Sequence, residues 1–383
     1  MLEFSIDSGA RIFILVSIVA VSGCRDPYTP PVIKGGNNYL VVGGFLNSGG
    51  ATNITLSRTR ALNDTTPVPE NSAQVSVIGS AGDVFFLTAS GNGLYTYDSM
   101  VLNPFETYQL QILTSNGGKY LSDTVSVFQT PPIDSLNWNQ DSTGGPGKQG
   151  VNIYVNTHDN STPYGYYRWE YEETWQYQAA YESYFTWDRN QMIKVARAPE
   201  DQVYNCWQNK LSTTLVVGNT RQLSQNLIYE QPVVFIPVGS QKLSVRYSVL
   251  VKQYNISAEA FDYWKNLQAL TDLTGSIFDP LPSQVTGNIH NAANASEPVM
   301  GYISACAAQE KRLFISYHEV SHWGYQIEGC EELVLTPDQF ADYFGTRGYY
   351  ITGNKGIVNL GATTSVCADC RLQGGSNKQP AFW

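Results

Sequence analysis

The sequence predicts a mainly β protein, in which an N-terminal immunoglobulin-like β-sandwich precedes a second β-rich domain with one or two helices. Short runs of alternating or β-branched residues, separated by turn residues, recur along the chain and are typical of strands. Tyrosine is abundant, with 25 residues against 4 methionines. The 383 residues are 42% hydrophobic and only 15% charged, which indicates a folded globular chain of two domains.

Residues 1–23 are predicted to be a lipoprotein signal peptide. The apolar run Ile12–Val21 is too short to span a bilayer of roughly 30 Å and has the length of a signal-peptide core. It ends in VSGC, which resembles the lipobox of bacterial lipoproteins. We therefore predict that Cys24 is acylated and becomes the mature N-terminus.

The next segment, 24–38, is predicted to be a lipidated flexible tether. It is rich in residues that disfavour regular structure, namely Pro27, Pro30, Pro31, Gly35 and Gly36. Such a composition buries too little apolar surface to offset the entropy lost on ordering. The folded part is therefore expected to stand off the membrane on a stalk.

Residues 39–130 are predicted to form the immunoglobulin-like β-sandwich. In TYQLQIL, Tyr108, Leu110 and Ile112 share one face of a strand and the intervening glutamines share the other, so one face is buried. Pro131-Pro132 ends the unit. Seven strand-like runs have the spacing of a sandwich, and they are YLVVGGF, TNITLSR, AQVSVIG, VFFLT, GLYTYD, TYQLQIL and KYLSDTVSV.

Residues 131–383 are predicted to form the second β-rich domain, with a helix near 257–273. Ser257 suits the N-cap, and Ile256 can pack on Phe261 as a hydrophobic staple. An apolar stripe continues until Gly275. This helix is expected to cover an edge or face of a sheet.

Five cysteines follow Cys24, and an exported chain is expected to form disulfides. Cys306 lies in an apolar context and is predicted to be unpaired. The other four are predicted to form two bridges that staple the C-terminal segment, with the pairing left open: Cys206, Cys330, Cys367 and Cys370. A redox pair or half a zinc site at CADC is the alternative, and its position among turn residues without a second CxxC favours bridging.

The segment 164–187 is crowded with aromatic rings, which predict either core packing or a contact surface. Large rings stack on sugars and anchor peptide or protein partners at modest entropic cost. Core packing is the simpler interpretation for most of them. The candidates for a ligand or partner surface are Trp175, Tyr177, Tyr181, Tyr184 and Trp187.

His318 and His322 belong to an HExxH motif, the zinc-binding pattern of many metallopeptidases. The pattern requires a helix, but it follows RLFISY, which favours a strand, and Gly324 disfavours a helix here. In a strand the two imidazoles would lie about 13 Å apart. The extended motif also lacks its third histidine, because Glu328 occupies that position. We therefore predict no metal, no cofactor and no enzymatic activity, with a zinc metallopeptidase as the alternative.

The chain carries a formal charge of −10 and no basic run, which argues against nucleic-acid binding and against electrostatic binding of the whole chain to anionic lipid. No nucleophile elbow, phosphate-binding glycine loop or dinucleotide fingerprint is visible in the sequence.

Several segments together resemble the Bacteroidota lipoproteins known as domain of unknown function 4249. The segments that carry the resemblance are CRDPYTPP, YLVVGGF, GLYTYDSMVLNPFETYQLQILTSNGGKYLSDT, YYRWEYEETW, SVLVKQYNISAEAFDYWKNLQ, GSIFDPLPSQVTGNI, EPVMGYISA and CADCRLQGG. The resemblance implies an outer-membrane, surface-exposed lipoprotein, often encoded beside TonB-dependent transporters, with no catalytic residues to carry over.

The predicted function is therefore a non-catalytic binding or accessory component of a TonB-dependent nutrient-uptake system. Its predicted partners are the membrane, through the N-terminal lipid, a TonB-dependent transporter and a glycan or peptide ligand. A structural or adhesive envelope protein is a further alternative.

Overall fold

The computed structural model describes residues 38–60, 68–143, 145, 147–272 and 286–383. Within them, 24 strands form four sheets, accompanied by the α-helices α1 (Ala258–Asp272) and α2 (Ser365–Ala368). The predicted mainly β class is confirmed. The predicted signal peptide, Cys24 and nearly all of the predicted tether lie outside the described residues. In the described ranges, neither helix combines the length and apolar character that crossing a bilayer requires.

The first sheet contains eleven strands. They are β1 (Leu40–Asn47), β2 (Gly50–Arg58), β3 (Val68–Pro69), β4 (Gln74–Gly79), β5 (Val84–Gly91), β6 (Leu94–Met100), β7 (Thr107–Leu113), β8 (Lys119–Ser122), β9 (Val125–Gln129), β19 (Ile289–Asn291) and β20 (Ala305–Ala307). Eight of them close into a ring in the order β7, β4, β5, β6, β2, β1, β20 and β9, because β9 pairs back to β7. Tyr108, Leu110 and Ile112 point into its core, as the alternation in β7 predicts.

The ring is completed by a strand from much later in the chain. β20 runs parallel between β1 and β9, and β19 pairs with β8. β19 and β20, which fall in the predicted second domain, therefore belong to the first sheet. Gly301 permits the close approach to β1, since a Cβ there would lie 2.1 Å from Val42 O. The immunoglobulin-like assignment of 39–130 stays a prediction, whereas its β character is confirmed.

Two further sheets pack face to face and enclose the second core. One contains β10 (Ile133–Asp141), β11 (Gly150–His158) and β17 (Leu227–Pro237); the other contains β12 (Tyr166–Gln178), β15 (Asn205–Leu211), β16 (Val216–Asn219), β18 (Arg246–Asn255) and β21 (Gln309–Ser316). Their shared core includes Val151 and Ile153 from the first, and Tyr167, Trp169 and Val249 from the second. Burial of these large side chains stabilises this half of the protein.

Helix α1 lies against the outer side of β12, and its observed bounds confirm the predicted helix. Ser257 Oγ accepts a hydrogen bond from Ala260 N at 3.1 Å, which caps the helix as expected. Phe261 packs against Tyr166 with ring centroids 5.3 Å apart. Trp264 stacks under the Arg168 guanidinium, 3.9 Å from its ring centroid. The helix thus covers a sheet surface, as its apolar stripe predicts.

The fourth sheet is small and combines two distant parts of the chain. Its strands are β13 (Phe185–Asp188), β14 (Ile193–Ala196), β22 (Leu333–Leu335), β23 (Tyr350–Lys355) and β24 (Asn359–Thr363). The six-residue π-helical turn Ala341–Thr346 packs Phe344 into its core beside Ile351 and Leu360.

Candidate functional site

The four predicted cysteines form two disulfides near the C-terminus. Cys206 pairs with Cys370 and Cys330 pairs with Cys367, with Cα–Cα distances of 5.8 and 5.6 Å. The prediction of two structural bridges is confirmed, and the pairing left open by the sequence is fixed. The two cysteines of the CADC sequence do not pair with each other, because Cys367 pairs with Cys330 and Cys370 pairs with Cys206 in β15. The Tyr177 hydroxyl donates to Cys370 O at 2.9 Å and further fastens this segment.

Cys306 is unpaired and buried in β20, as the sequence predicts. Burial raises the pKa of its thiol to about 12, and it does so more strongly than the hydrogen bond with Thr130 lowers it. A thiol in this environment stays protonated and unreactive.

We expect native Cys306 to resist alkylation by iodoacetamide at about pH 8.5, where an exposed thiol is half ionised. In urea the same thiol should be alkylated at the rate of an exposed free cysteine. Mass spectrometry of both samples measures the difference. Rapid labelling of the native protein at Cys306 would contradict the burial and the raised pKa on which this expectation rests.

The structure divides the five predicted aromatic contact residues. Trp175 and Tyr177 are 6% and 0% exposed and belong to the second core, so the prediction of a contact surface is wrong for them. The reason is that β12 extends to Gln178 and is paired on both sides, so its alternation persists further than the sequence indicated. Tyr184 is 58% exposed, and Tyr181 and Trp187 are half-buried.

Tyr181 lines an open polar pocket of about 460 Å³. Gln178 and Tyr325 face the same space, and Cys330 of the second disulfide borders it. Ser244 also lines the pocket, and its buried Oγ has no hydrogen-bond partner among the described residues. Hydroxyl and amide groups beside tyrosine rings suit a polar ligand such as a sugar.

The HExxH segment does not form the α-helix that a zinc site of this type requires, as the sequence predicts. β21 ends at Ser316, and Tyr317–Glu319 form a single 3-10 turn, so the strand geometry expected for the histidines does not occur either. His322 has a positive φ of 49°. Glu319 accepts a hydrogen bond from Ser316 N at 2.6 Å, which makes it a capping residue of the turn.

His318 and His322 are both exposed. The loop that carries them is held in place by the residue after His322. Trp323 is 1% exposed and donates from Nε1 to Ser240 O at 2.7 Å, which anchors the segment. Among the described ranges, no group of three or more histidine, cysteine, aspartate or glutamate side chains gathers where it could hold a metal ion.

A third surface feature, absent from the sequence predictions apart from Trp187, lies on the fourth sheet. An open pocket of about 310 Å³ lies between the β13–β14 and β23–β24 hairpins, with Trp187 and Phe340 among its lining residues. The ring centroids of these two residues are 5.9 Å apart. The signal that sequence reasoning missed is NKGIVN, a turn with apolar residues at its tip.

The fold and its two bridges thus define a mainly β, disulfide-bridged protein with polar and aromatic pockets. The model of the family described as Domain of unknown function (DUF4249) matches residues 25–312, and the chain belongs to this family. The β22–β24 strands lie beyond the matched range. The resemblance that the sequence predicts is confirmed at the level of the domain family, while the Bacteroidota and outer-membrane assignments stay predictions.

Comparison with curated proteins gives no match. Among solved structures, "Escherichia coli alpha-2-macroglobulin activated by porcine elastase" is similar over 58% of this chain and 18% of that chain, at 13% identity and a TM-score of 0.18. The matched region spans less than a fifth of that protein, and a TM-score of this size supports no inference about fold or function.

Proposed function

We propose that the protein is an outer-membrane, surface-exposed lipoprotein that acts as a non-catalytic binding or accessory component of a TonB-dependent nutrient-uptake system. The observation that carries the proposal is the pair of disulfides, Cys206–Cys370 and Cys330–Cys367. Such bridges form and persist in oxidising compartments and are rare in the cytosol. Export is thereby supported by a structural feature that is independent of the leader sequence.

The anchor in this proposal is Cys24, which follows the lipobox-like VSG sequence. Each buried methylene of an acyl chain contributes about 0.8 kcal/mol, so two or more chains hold a protein on a membrane permanently. The proline- and glycine-rich segment 24–38 then acts as a tether, and the N-terminal strands act as an immunoglobulin-like module outside the bilayer.

The binding role rests on the tyrosines that remain accessible. Tyr184 is 58% exposed, and Tyr181 borders the polar pocket with Tyr325 and Gln178. Aromatic rings with amide and hydroxyl groups nearby recognise glycans and peptides by stacking and hydrogen bonding. In this proposal they hold a ligand for delivery to the transporter.

Metabolic labelling with an alkynyl fatty acid tests the anchor in a Bacteroidota host. We expect the wild-type chain to carry the label, to lose residues 1–23 and to be degraded when intact cells are treated with a protease. The C24S variant should lose the label, whereas C306S, which removes a buried free thiol, should keep it. Wild-type protein with an unmodified Cys24 and residues 1–23 still attached would refute the proposal.

Crosslinking of whole cells, followed by purification and mass spectrometry, tests the partner. We expect a TonB-dependent transporter to be recovered with the wild-type protein, and less of it with Y181A/Y184A. A matched control is Y229A, since Tyr229 is 73% exposed on β17 and is not one of the predicted contact residues. Recovery of no transporter, with lipidation intact, would remove the accessory role but leave the lipoprotein assignment standing.

A further inference from the structure

Two hairpin turns of the fourth sheet present apolar side chains to solvent. Met192 and Ile193 end the β13–β14 turn and are 49% and 47% exposed. Ile357 and Val358 form the β23–β24 turn and are 104% and 60% exposed. Turns are ordinarily built from glycine, asparagine, aspartate and serine, because these residues suit the backbone and the solvent. Met192 also has a φ of 56°, a conformation that bulky residues rarely adopt.

These four residues, here called the hairpin patch, form one surface. All four line the same open pocket, and Trp187 lines it with them. Trp187 is supported from below by Phe340 and Phe344, with ring centroids 5.9 and 5.6 Å away. The patch is therefore an exposed apolar surface next to a cluster of aromatic rings. Contiguous exposed apolar surface of this kind marks a site of contact with a protein or a membrane.

The charge of the two hairpins differs in sign from that of the whole chain. Residues 185–196 and 350–363 contain three bases and one carboxylate, and Glu332, which pairs with Lys355, lowers the net charge of this surface to +1 within a chain of −10. Asp188 faces its own turn, where Oδ1 accepts from Asn190 N and Gln191 N at 2.8 and 3.1 Å. The bases are Arg189, Lys194 and Lys355.

The bases differ in how firmly they are held. Arg189 is exposed in the β13–β14 turn. Lys194 Nζ lies over the Phe185 ring, 4.9 Å from its centroid, and donates to Asn354, so its charge is held near the patch. Lys355 is paired with Glu332 at 2.6 Å. Arg189 and Lys194 therefore supply the accessible positive charge.

We propose that the hairpin patch is a membrane-contact site that inserts its apolar tips among the headgroups of an anionic lipid surface. Apolar tips, flanking lysine or arginine and an aromatic residue at the boundary are the combination that binds membrane interfaces. A second copy of the chain fits less well, since a two-fold contact at the patch would bring Arg189 and Lys194 of both copies together. This contact goes beyond the proposed lipid anchor and does not require it.

Sedimentation with lipid vesicles tests this site on the full mature chain, from residue 24, with C24S to exclude acylation. The protein with an unchanged hairpin patch is expected to bind vesicles rich in phosphatidylglycerol and to bind phosphatidylcholine vesicles weakly. I357D/V358D should lower the partition coefficient by at least about tenfold, because it places charge where apolar tips insert. Raising the salt to about 1 M, where the Debye length is about 3 Å, should also weaken binding.

F105D is the matched control, since Phe105 is 94% exposed in a turn of the first sheet, far in sequence from both hairpins. It should bind vesicles as the wild-type patch does. Circular dichroism checks that all variants are folded.

Three results would overturn the site. These are no vesicle binding by the wild-type patch, equal binding by I357D/V358D, and a concentration-dependent dimer that I357D/V358D abolishes in the absence of lipid. Because the test protein lacks the Cys24 thiol, its outcome is independent of whether the native chain is lipidated.

Discussion

Replacing Cys206 and Cys370 together by alanine is expected to lower the free energy of unfolding by about 5 kcal/mol. This bridge joins residues 164 positions apart, and it therefore removes a large loop-closure entropy from the unfolded chain. Both cysteines are fully buried in the second core, so the alanines also leave unfilled space there. Urea denaturation, monitored by tryptophan fluorescence, measures the change.

The second bridge provides the internal control. Cys330 and Cys367 are 37 positions apart, for which the same treatment gives about 4 kcal/mol. C206A/C370A should therefore be the less stable variant, by about 1 kcal/mol. Equal stability of both variants and the wild type would show that the bridges do not constrain the unfolded chain in this way.

Lys242→Met is expected to destabilise the protein by about 3 kcal/mol, because it removes the countercharge of a buried carboxylate. Glu173 is 4% exposed, and Lys242 Nζ donates to both of its oxygens at 2.7 Å. The Tyr247 hydroxyl donates to Glu173 Oε1 at 2.8 Å. Burial, with the negative charge of Glu173, raises the pKa of Tyr247 well above its usual range and keeps this donor protonated. Urea denaturation at neutral pH measures the loss.

The E173Q/K242M double variant should recover most of that stability, since no unpaired charge stays buried. K119M is the surface control, because Lys119 is exposed on β8 of the first sheet, and its effect should stay within about 0.5 kcal/mol. A K242M variant no less stable than K119M would mean that water already solvates Glu173 in the native protein.

Local patterns predicted local structure well. Helix α1 was predicted from its cap at Ser257 and its apolar period, and both depend on residues within a few positions of one another. The burial of alternate residues in β7 followed from the two-residue period of a strand in the same way. The unpaired state of Cys306 was predicted from its apolar neighbours.

Long-range pairing could not be predicted in this way. The run ISACAA contains the three residues of β20, and nothing near them indicates that they pair with strands at 40–47 and 125–129. Trp175 and Tyr177 were candidates for a contact surface because the alternation in their segment weakens. β12 continues through both residues, paired with β15 and β18, and its inner face packs into the second core, which buries them. The partners of the four bridged cysteines were open for the same reason.

β20 is synthesised long after β1 and β9, the two strands that it joins. The first sheet therefore cannot close until most of the chain has been made. Residues 39–130 emerge from the ribosome, and cross the inner membrane in an exported chain, well before 305–307 are available. Until then the facing borders of β1 and β9 have no intervening partner, and open borders of this kind invite association with other chains. An excised fragment that stops near residue 130 is therefore expected to aggregate, and in the complete chain this edge is expected to stay open until the later half has been made.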